Sequence, residues 1–334
     1  MNYDNKTICI LGGSGSFGEA YVKHVLNKSS KCKIVAVGKS ESKIVVLRRM
    51  ISSPHLSVRI GDIKDVSFLD RVLADVDFVI HAAALKHVDI CEENIVEAIN
   101  TNVVGTINVL NAAVKNNVSH VINLSADKAI SPVGVYGATK LLTESLFKHY
   151  HSTYGGKNIK FDSVRYSNII NSSGSAALLF RDRLKEGQEV RVFDPNMFRH
   201  FLTQQDLIGS VEFLLKHSRG GLTAIPLSQK IRISDMAKVI FESVGRGSLR
   251  IDEANVRSWE KKDAQILSET ELDRTLIWNQ KLLLVCHSAR DLNEYQKYAH
   301  IKQFPMSQLK SYGKIKFQSR QDIKSLLQKV EILT

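Results

Sequence analysis

The stretch Thr7-Ile8-Cys9-Ile10-Leu11-Gly12-Gly13-Ser14-Gly15-Ser16-Phe17-Gly18 decides the fold. An apolar, β-branched run ends in glycines at 12, 15 and 18, and a helical pattern follows over 17–26. Glycines so spaced let the backbone turn tightly and approach a pyrophosphate. The helix behind them presents its first N–H groups and its dipole to that anion. Strand, glycine turn and helix in this order predict a dinucleotide-binding unit, with Gly12, Ser14, Gly15, Ser16, Phe17 and Gly18 around the diphosphate.

Working outward, the chain keeps alternating. Strand-like runs recur at 33–37, 56–60, 78–81, 120–124 and 160–165, with helical patterns at 42–51, 66–73, 95–116 and 136–150 between them. Such alternation predicts an α/β fold, a Rossmann-type doubly wound parallel sheet. Beyond 167 the order becomes irregular. Helical patterns return at 204–217, 233–244 and 321–330, and short apolar runs lie at 190–193, 222–225, 282–286 and 314–317. The stretch 287–303 has no clear pattern. We expect a cofactor domain over 1–166, rejoined by 199–217, and a smaller mixed α/β substrate lobe from 167–198 and 218–334.

The 334 residues, 43% of them hydrophobic, suffice for a large core. No apolar run approaches the ~20 residues of a membrane span, and residues 1–6 lack the features of a signal peptide. Cys9, Cys32, Cys91 and Cys286 show neither C-x-x-C spacing nor a metal-ligand pattern. No metal site and a reducing, cytoplasmic compartment are therefore expected. The net charge of +12 comes from 46 basic and 34 acidic residues, scattered rather than clustered and without a nucleic-acid motif. An anionic small ligand accounts for it better than nucleic acid.

The strand ends supply the rest of a cofactor site. Lys39 and Ser40 stand where a carboxylate would take the ribose hydroxyls of NAD. Both can hold a 2′-phosphate, so NADP is expected over NAD, with Glu41 the opposing feature. Asp62, beside Ile63, either meets the adenine edge or caps the next helix. Ala82, Ala83 and Ala84 leave room for a flat ring.

The reading of 124–140, L-S-A-D-K-A-I-S-P-V-G-V-Y-G-A-T-K, bears on chemistry. Asp127 and Lys128 place an acid beside a base at a strand end. Tyr136 and Lys140 are four apart and share one face of a helix. A nearby ammonium favours the phenolate, so Lys140 is expected to lower the pKa of Tyr136 and fit it to accept a proton from an alcohol.

Five stretches now converge: I-L-G-G-S-G-S-F-G from Ile10, H-A-A-A-L-K-H-V from His81, N-T-N-V-V-G-T-I-N-V-L-N-A-A from Asn100, the 124–140 segment, and V-R-Y-S-N from Val164. With these the chain resembles the extended short-chain dehydrogenase/reductases, in the polysaccharide-biosynthesis branch that holds the inverting UDP-N-acetylglucosamine 4,6-dehydratases. The resemblance implies an NADP-dependent lyase acting on a nucleotide-diphosphate sugar through a transient 4-keto sugar. Tyr136 would take the 4-hydroxyl proton while carbon 4 is oxidised. Lys128 would remove the carbon 5 proton, and Asp127 would protonate the departing 6-hydroxyl. The hydride returns to carbon 6. Lys140 would hold the nicotinamide ribose, with Lys86 and Asn102 also on the cofactor. Lys86, His87, Ser125, Asn168, Arg199 and Arg257 would meet the substrate. A homo-oligomer built on helices 95–116 and 136–150 is implied as well.

The chain departs from that branch at several places. Ala126 stands where a threonine is usual, with Ser125 the neighbouring hydroxyl, and Ser173 stands where arginine is frequent. Arg257-Ser258-Trp259-Glu260-Lys261 replaces R-P-G-E-K, and Asp263-Ala264-Gln265 replaces His-Glu-Glu. Three readings stay open: a 4,6-dehydratase, an epimerase on the same scaffold, or a non-catalytic NADP-binding partner protein.

Overall fold

Strands whose residues are buried on both faces form the centre of the molecule. The computed structural model describes residues 1–155, 159–252, 265–298, 301–303 and 317–333. Strands β1 (Thr7–Leu11), β2 (Lys33–Gly38), β3 (Leu56–Ile60), β4 (Phe78–His81), β5 (His120–Ala126) and β6 (Lys160–Tyr166) pair in parallel, in the order β3-β2-β1-β4-β5-β6. All four residues of β4 and all seven of β5 are buried, which is why apolar residues fall on both faces of these strands, with the few buried polar side chains among them.

Helices cover both faces. On one side α1 (Ser16–Lys28) and α9 (Gln204–His217) pack Tyr21, Val25, Leu207 and Val211 against Ile8, Ile10, Ile122 and Val164. On the other, α3 (Val66–Val72), α6 (Gly105–Lys115) and α7 (Val135–Tyr154) pack Leu69, Leu110 and Phe147 against Cys9, Val79 and Phe161. The expected helix over 95–116 is three pieces in line: α5 (Ile95–Ile99), a π turn over Asn100–Val104, and α6.

The C-terminal half divides differently from expectation. Strand β10 (Leu222–Pro226) pairs in parallel with β6, then β14 (Leu282–Cys286), β13 (Thr275–Trp278) and β15 (Ile301–Gln303) continue the large sheet antiparallel. These segments were expected in the smaller lobe. They join the large sheet because β10 and β14 are buried at every residue, which only an interior position satisfies. Conversely, β9 (Phe198–Leu202) belongs to the smaller lobe, paired with β7 (Asn168–Ile169) and β11 (Gln229–Arg232). The returning segment thus begins at Gln204. The patternless stretch 287–303 contains α11 (Ala289–Tyr295) and β15. Of the run 314–317, residues 314–316 lie outside the described residues, and Phe317 is in no strand.

The smaller lobe has its own core. It is built from α8 (Ala176–Lys185), β8 (Glu189–Val192), β9, β11, α10 (Ile233–Val244), β12 (Ser248–Ile251) and α12 (Arg320–Lys329). One buried guanidinium ties distant parts of the chain together. Arg165 of β6 donates to both carboxylate oxygens of Glu144 in α7 (3.0 and 2.5 Å) and to both of Glu271 (2.8 and 2.9 Å). Removing one partner of such a cluster is expected to cost about 3–5 kcal/mol. Among the described residues no helix is long and apolar enough to cross a membrane.

Candidate active site

A cavity of about 1070 Å³ opens at the carboxyl ends of β1 to β6, between the two lobes. This is where open parallel sheets place their ligands. Its floor is the glycine turn. Gly12 has φ +87°, and a Cβ there would lie 2.7 Å from the Ala82 carbonyl carbon. A Cβ on Gly18 would lie 2.5 Å from the Gly13 Cα. A Cβ on Gly15 would meet only the Gly12 oxygen, at 3.2 Å, so the turn is open on that side. Gly15 precedes α1 without a side-chain cap, and the first helical bond runs from the Glu19 amide to the Gly15 carbonyl (2.9 Å). The amides of 16–18 have no acceptor within the helix and suit a diphosphate. Ser14, Ser16 and Phe17 line the cavity with the glycines. Gln204, at the start of α9, donates to the Ser16 carbonyl and anchors this turn from the far side. Its pattern in the sequence is only that of a helix start, so its role was not legible.

At the tip of β2, Lys39 Nζ lies 3.1 Å from Asp62 and 3.8 Å from Glu97. Ser40 caps α2 (Glu41–Met50), accepting from the Lys43 amide at 3.4 Å. Asp62 also accepts from the Lys64 amide (3.0 Å). Partial burial pushes its carboxyl up, but the Lys64 amide and Lys39 outweigh this and hold it below the usual range. So Asp62 braces its own turn while lining the cavity beside Ile63.

Ala82, Ala83, Ala84, Lys86 and His87 follow β4 along the wall. Burial, then Lys43, lowers the Lys86 ammonium. Asn102 is not among the lining residues. Held in the π turn, it accepts from the Leu85 amide (2.8 Å) and donates to the Leu85 carbonyl (3.0 Å) and to Thr139 (3.0 Å). It therefore clamps the wall from behind.

The chemical groups sit at the end of β5. A single 3₁₀ turn, Asp127–Ala129, follows the strand. Asp127 is buried and Lys128 Nζ lies 3.1 Å from its Oδ1. The Glu92 carboxylate accepts from the Val135 amide (2.6 Å) at the start of α7, where a negative charge is favoured. Tyr136 is the next residue, and Lys140 lies one turn on. All four groups line the one cavity.

The expected lowering of the Tyr136 pKa is not found. Burial pushes the phenol well above its ordinary value, and Tyr166 and Asp127 push it further. The Lys140 ammonium instead donates to the Leu124 carbonyl (2.7 Å). Burial brings it down to about 8, with Glu144 opposing. Helical spacing fixed the neighbours but not the enclosure.

At the substrate end Asn168 and Arg199 line the cavity, and Asn168 donates to the His200 carbonyl (3.2 Å). Ser125 does not line it. Strand alternation turns Ser125 to the face opposite Leu124 and Ala126, both of which do. Arg257 lies outside the described residues, as do 258–264. Tyr166, Ser167, Ser172, Ser173, Ser175, Arg191 and Phe193 also line the cavity. The V-R-Y-S-N stretch and the polar run of small residues over 168–175, whose composition suits a substrate-lining loop, signal all of these in the sequence except Arg191 and Phe193.

Residues 8–284 match the family described as polysaccharide biosynthesis protein. The chain is 37% identical over 239 residues to the inverting UDP-N-acetylglucosamine 4,6-dehydratase of Campylobacter jejuni, covering 71% of this chain and 72% of that one. It is 33% identical over 299 residues to the UDP-glucose 4-epimerase of Rickettsia canadensis, covering 88% and 86%. Among solved structures it is similar to Pen from Bacillus thuringiensis, with a TM-score of 0.90 and 28% identity over the whole of both chains. With a family match across most of its length and the glycine turn, Tyr136 and Lys140 around one cavity, the chain belongs to the polysaccharide-biosynthesis branch of the extended short-chain dehydrogenase/reductases.

Proposed function

We propose that this protein is a nucleotide-sugar 4,6-dehydratase that recycles NADP internally and acts on a UDP-N-acetylglucosamine-like substrate with inversion at carbon 5. The observation that carries this reading is the Asp127–Lys128 pair, 3.1 Å apart, in the same cavity as Tyr136 and Lys140. Interconverting a 4-hydroxyl needs one proton exchange at that oxygen. Expelling water needs a further base and acid, and this pair supplies both.

In this reading NADP, when bound, supplies a reversible hydride acceptor for the sugar. Tyr136 would take the proton of the 4-hydroxyl as carbon 4 becomes a ketone. This needs its phenolate, which burial opposes and which a cation beside it, the oxidised nicotinamide or Lys140, would favour. With the proton of the ion pair passed to Asp127, Lys128 as a neutral amine would take the acidified carbon 5 proton. Asp127 gives a proton to the 6-hydroxyl, which leaves as water. The hydride would return at carbon 6, and carbon 5 would take back one proton on the opposite face, so that the two protons taken by Tyr136 and Lys128 balance the one given by Asp127 and the one returned to carbon 5. Lys140 orients the nicotinamide ribose. Lys39, Ser40 and Lys43 around the tip of β2 support the 2′-phosphate of NADP. Ile95, Val96 and Ile99 of α5 and Leu141 and Leu142 of α7 are exposed, Val96 by 71%, which supports a homo-oligomer built on these helices.

The relative from Rickettsia canadensis, aligned over more of the chain, favours epimerisation as the second reading. Mass spectrometry after incubation with UDP-N-acetylglucosamine, without and with added NADP⁺, separates the two. We expect a product lighter by one water, and Lys128→Ala is expected to abolish water loss while the cofactor is still reduced. A sugar of unchanged mass but altered proton couplings would replace this reading with epimerisation.

A further inference from the structure

Position 126 packs beside Tyr136 and lines the cavity, yet it carries no hydroxyl. A sugar oxygen that passes its proton to Tyr136 gains from a second donor at the same atom. Two serine hydroxyls near this point, Ser125 Oγ and Ser167 Oγ, are buried and have no partner among the described residues. Buried hydroxyls are almost always paired, so each is a candidate to be completed by a ligand.

The register of the two strands decides between them. Ser125 stands opposite Arg165 and Ala126 opposite Tyr166. Ser125 belongs to the face turned away from the cavity. Ser167 lies one step past Tyr166, beyond the last paired residues of β5 and β6, so the alternation that turns Ser125 away does not extend to it. It lines the cavity, and the residue is 5% exposed. Tyr166 and Asn168, its chain neighbours, line the cavity too. We infer that Ser167 is a further catalytic residue, whose hydroxyl donates to the sugar 4-oxygen in the place Ala126 leaves without one. This rests on the proposed function only for its first step, oxidation at carbon 4, which dehydratases and epimerases share.

The test follows that step by the absorbance of reduced nicotinamide in a single turnover of the full-length protein with NADP⁺ and UDP-N-acetylglucosamine, then UDP-glucose. Ser167→Ala is expected to slow cofactor reduction on the order of 100-fold, with the melting temperature unchanged. Adding Ala126→Thr to it should recover about tenfold. Should Ser167→Ala misfold, Ser167→Cys, close in shape and a weaker donor, carries the same measurement. Wild-type reduction in a folded Ser167 variant would overturn the assignment. So would a loss in Ser125→Ala with Ser167→Ala unaffected. Normal reduction with slow water loss would place the hydroxyl at the departing 6-oxygen and overturn it as well. Product mass reports separately on dehydration: cofactor reduction without water loss sinks the dehydratase reading and leaves Ser167 standing. A wild-type chain that reduces its cofactor with neither sugar overturns both.

Discussion

Lys39 shows how one side chain sets a preference. It lines the cavity, and its ammonium lies 3.1 Å from Asp62 and 3.8 Å from Glu97 at the cavity rim. A lysine placed this way offers a charged contact to a 2′-phosphate, and a carboxylate in its place would repel one. Lys39→Glu is therefore expected to weaken NADPH binding by about 10- to 100-fold while NADH binding changes little, as followed by nicotinamide fluorescence. Equal losses for both nucleotides would remove the basis for NADP preference. At this scale the sequence was informative about identity and silent about environment. The tip of β2, the glycines and the 127–140 groups were legible because each motif encodes a local geometry. The shift of Tyr136 was not, because it depends first on burial, then on Tyr166 and Asp127, and enclosure by the fold is not written in the spacing of the motif.

At the scale of elements, the π turn over Asn100–Val104 is the piece with the most specific job. It points Asn102 at Leu85, so that one amide group satisfies both polar atoms of that backbone unit. Asn102→Ala would leave the Leu85 N–H and C=O without this partner and loosen the wall behind the cofactor. We expect dinucleotide affinity to fall roughly tenfold and stability by about 1–3 kcal/mol, read by titration and by urea unfolding. Unchanged affinity would reduce Asn102 to a packing residue. The turn was not legible because one extra residue in a helix barely disturbs apolar periodicity. Strands β1, β2 and β4 were legible as short apolar, β-branched runs, as parallel strands buried on both faces read, and β3, β5 and β6 by their regular alternation with helical patterns. The placement of β10 and β14 was not, since their composition shows that they are interior without showing which sheet they enter.

For the molecule as a whole, three buried histidines set a response to acid. Burial lowers His81 to about 3, and His200 and His287 to about 4, each from an ordinary value near 6.5. Between roughly pH 6.5 and 4 the unfolded chain binds protons that the folded one refuses, so stability must fall as pH falls through that window. A drop in melting temperature on the order of 10 °C from pH 7 to pH 5 is expected by calorimetry, and a flat profile would contradict it. The guanidinium of Arg165 also has a meaning in time. A ribosome releases this chain from its N-terminus, so β1 to β6 and β10 emerge before Glu271 and β14 exist to meet them. Until those residues arrive, the nascent protein holds Arg165 with Glu144 alone and displays β10 as a bare apolar edge. The last quarter of the chain thus acts as a clasp on work already done, and synthesis halted before it would leave a template for aggregation.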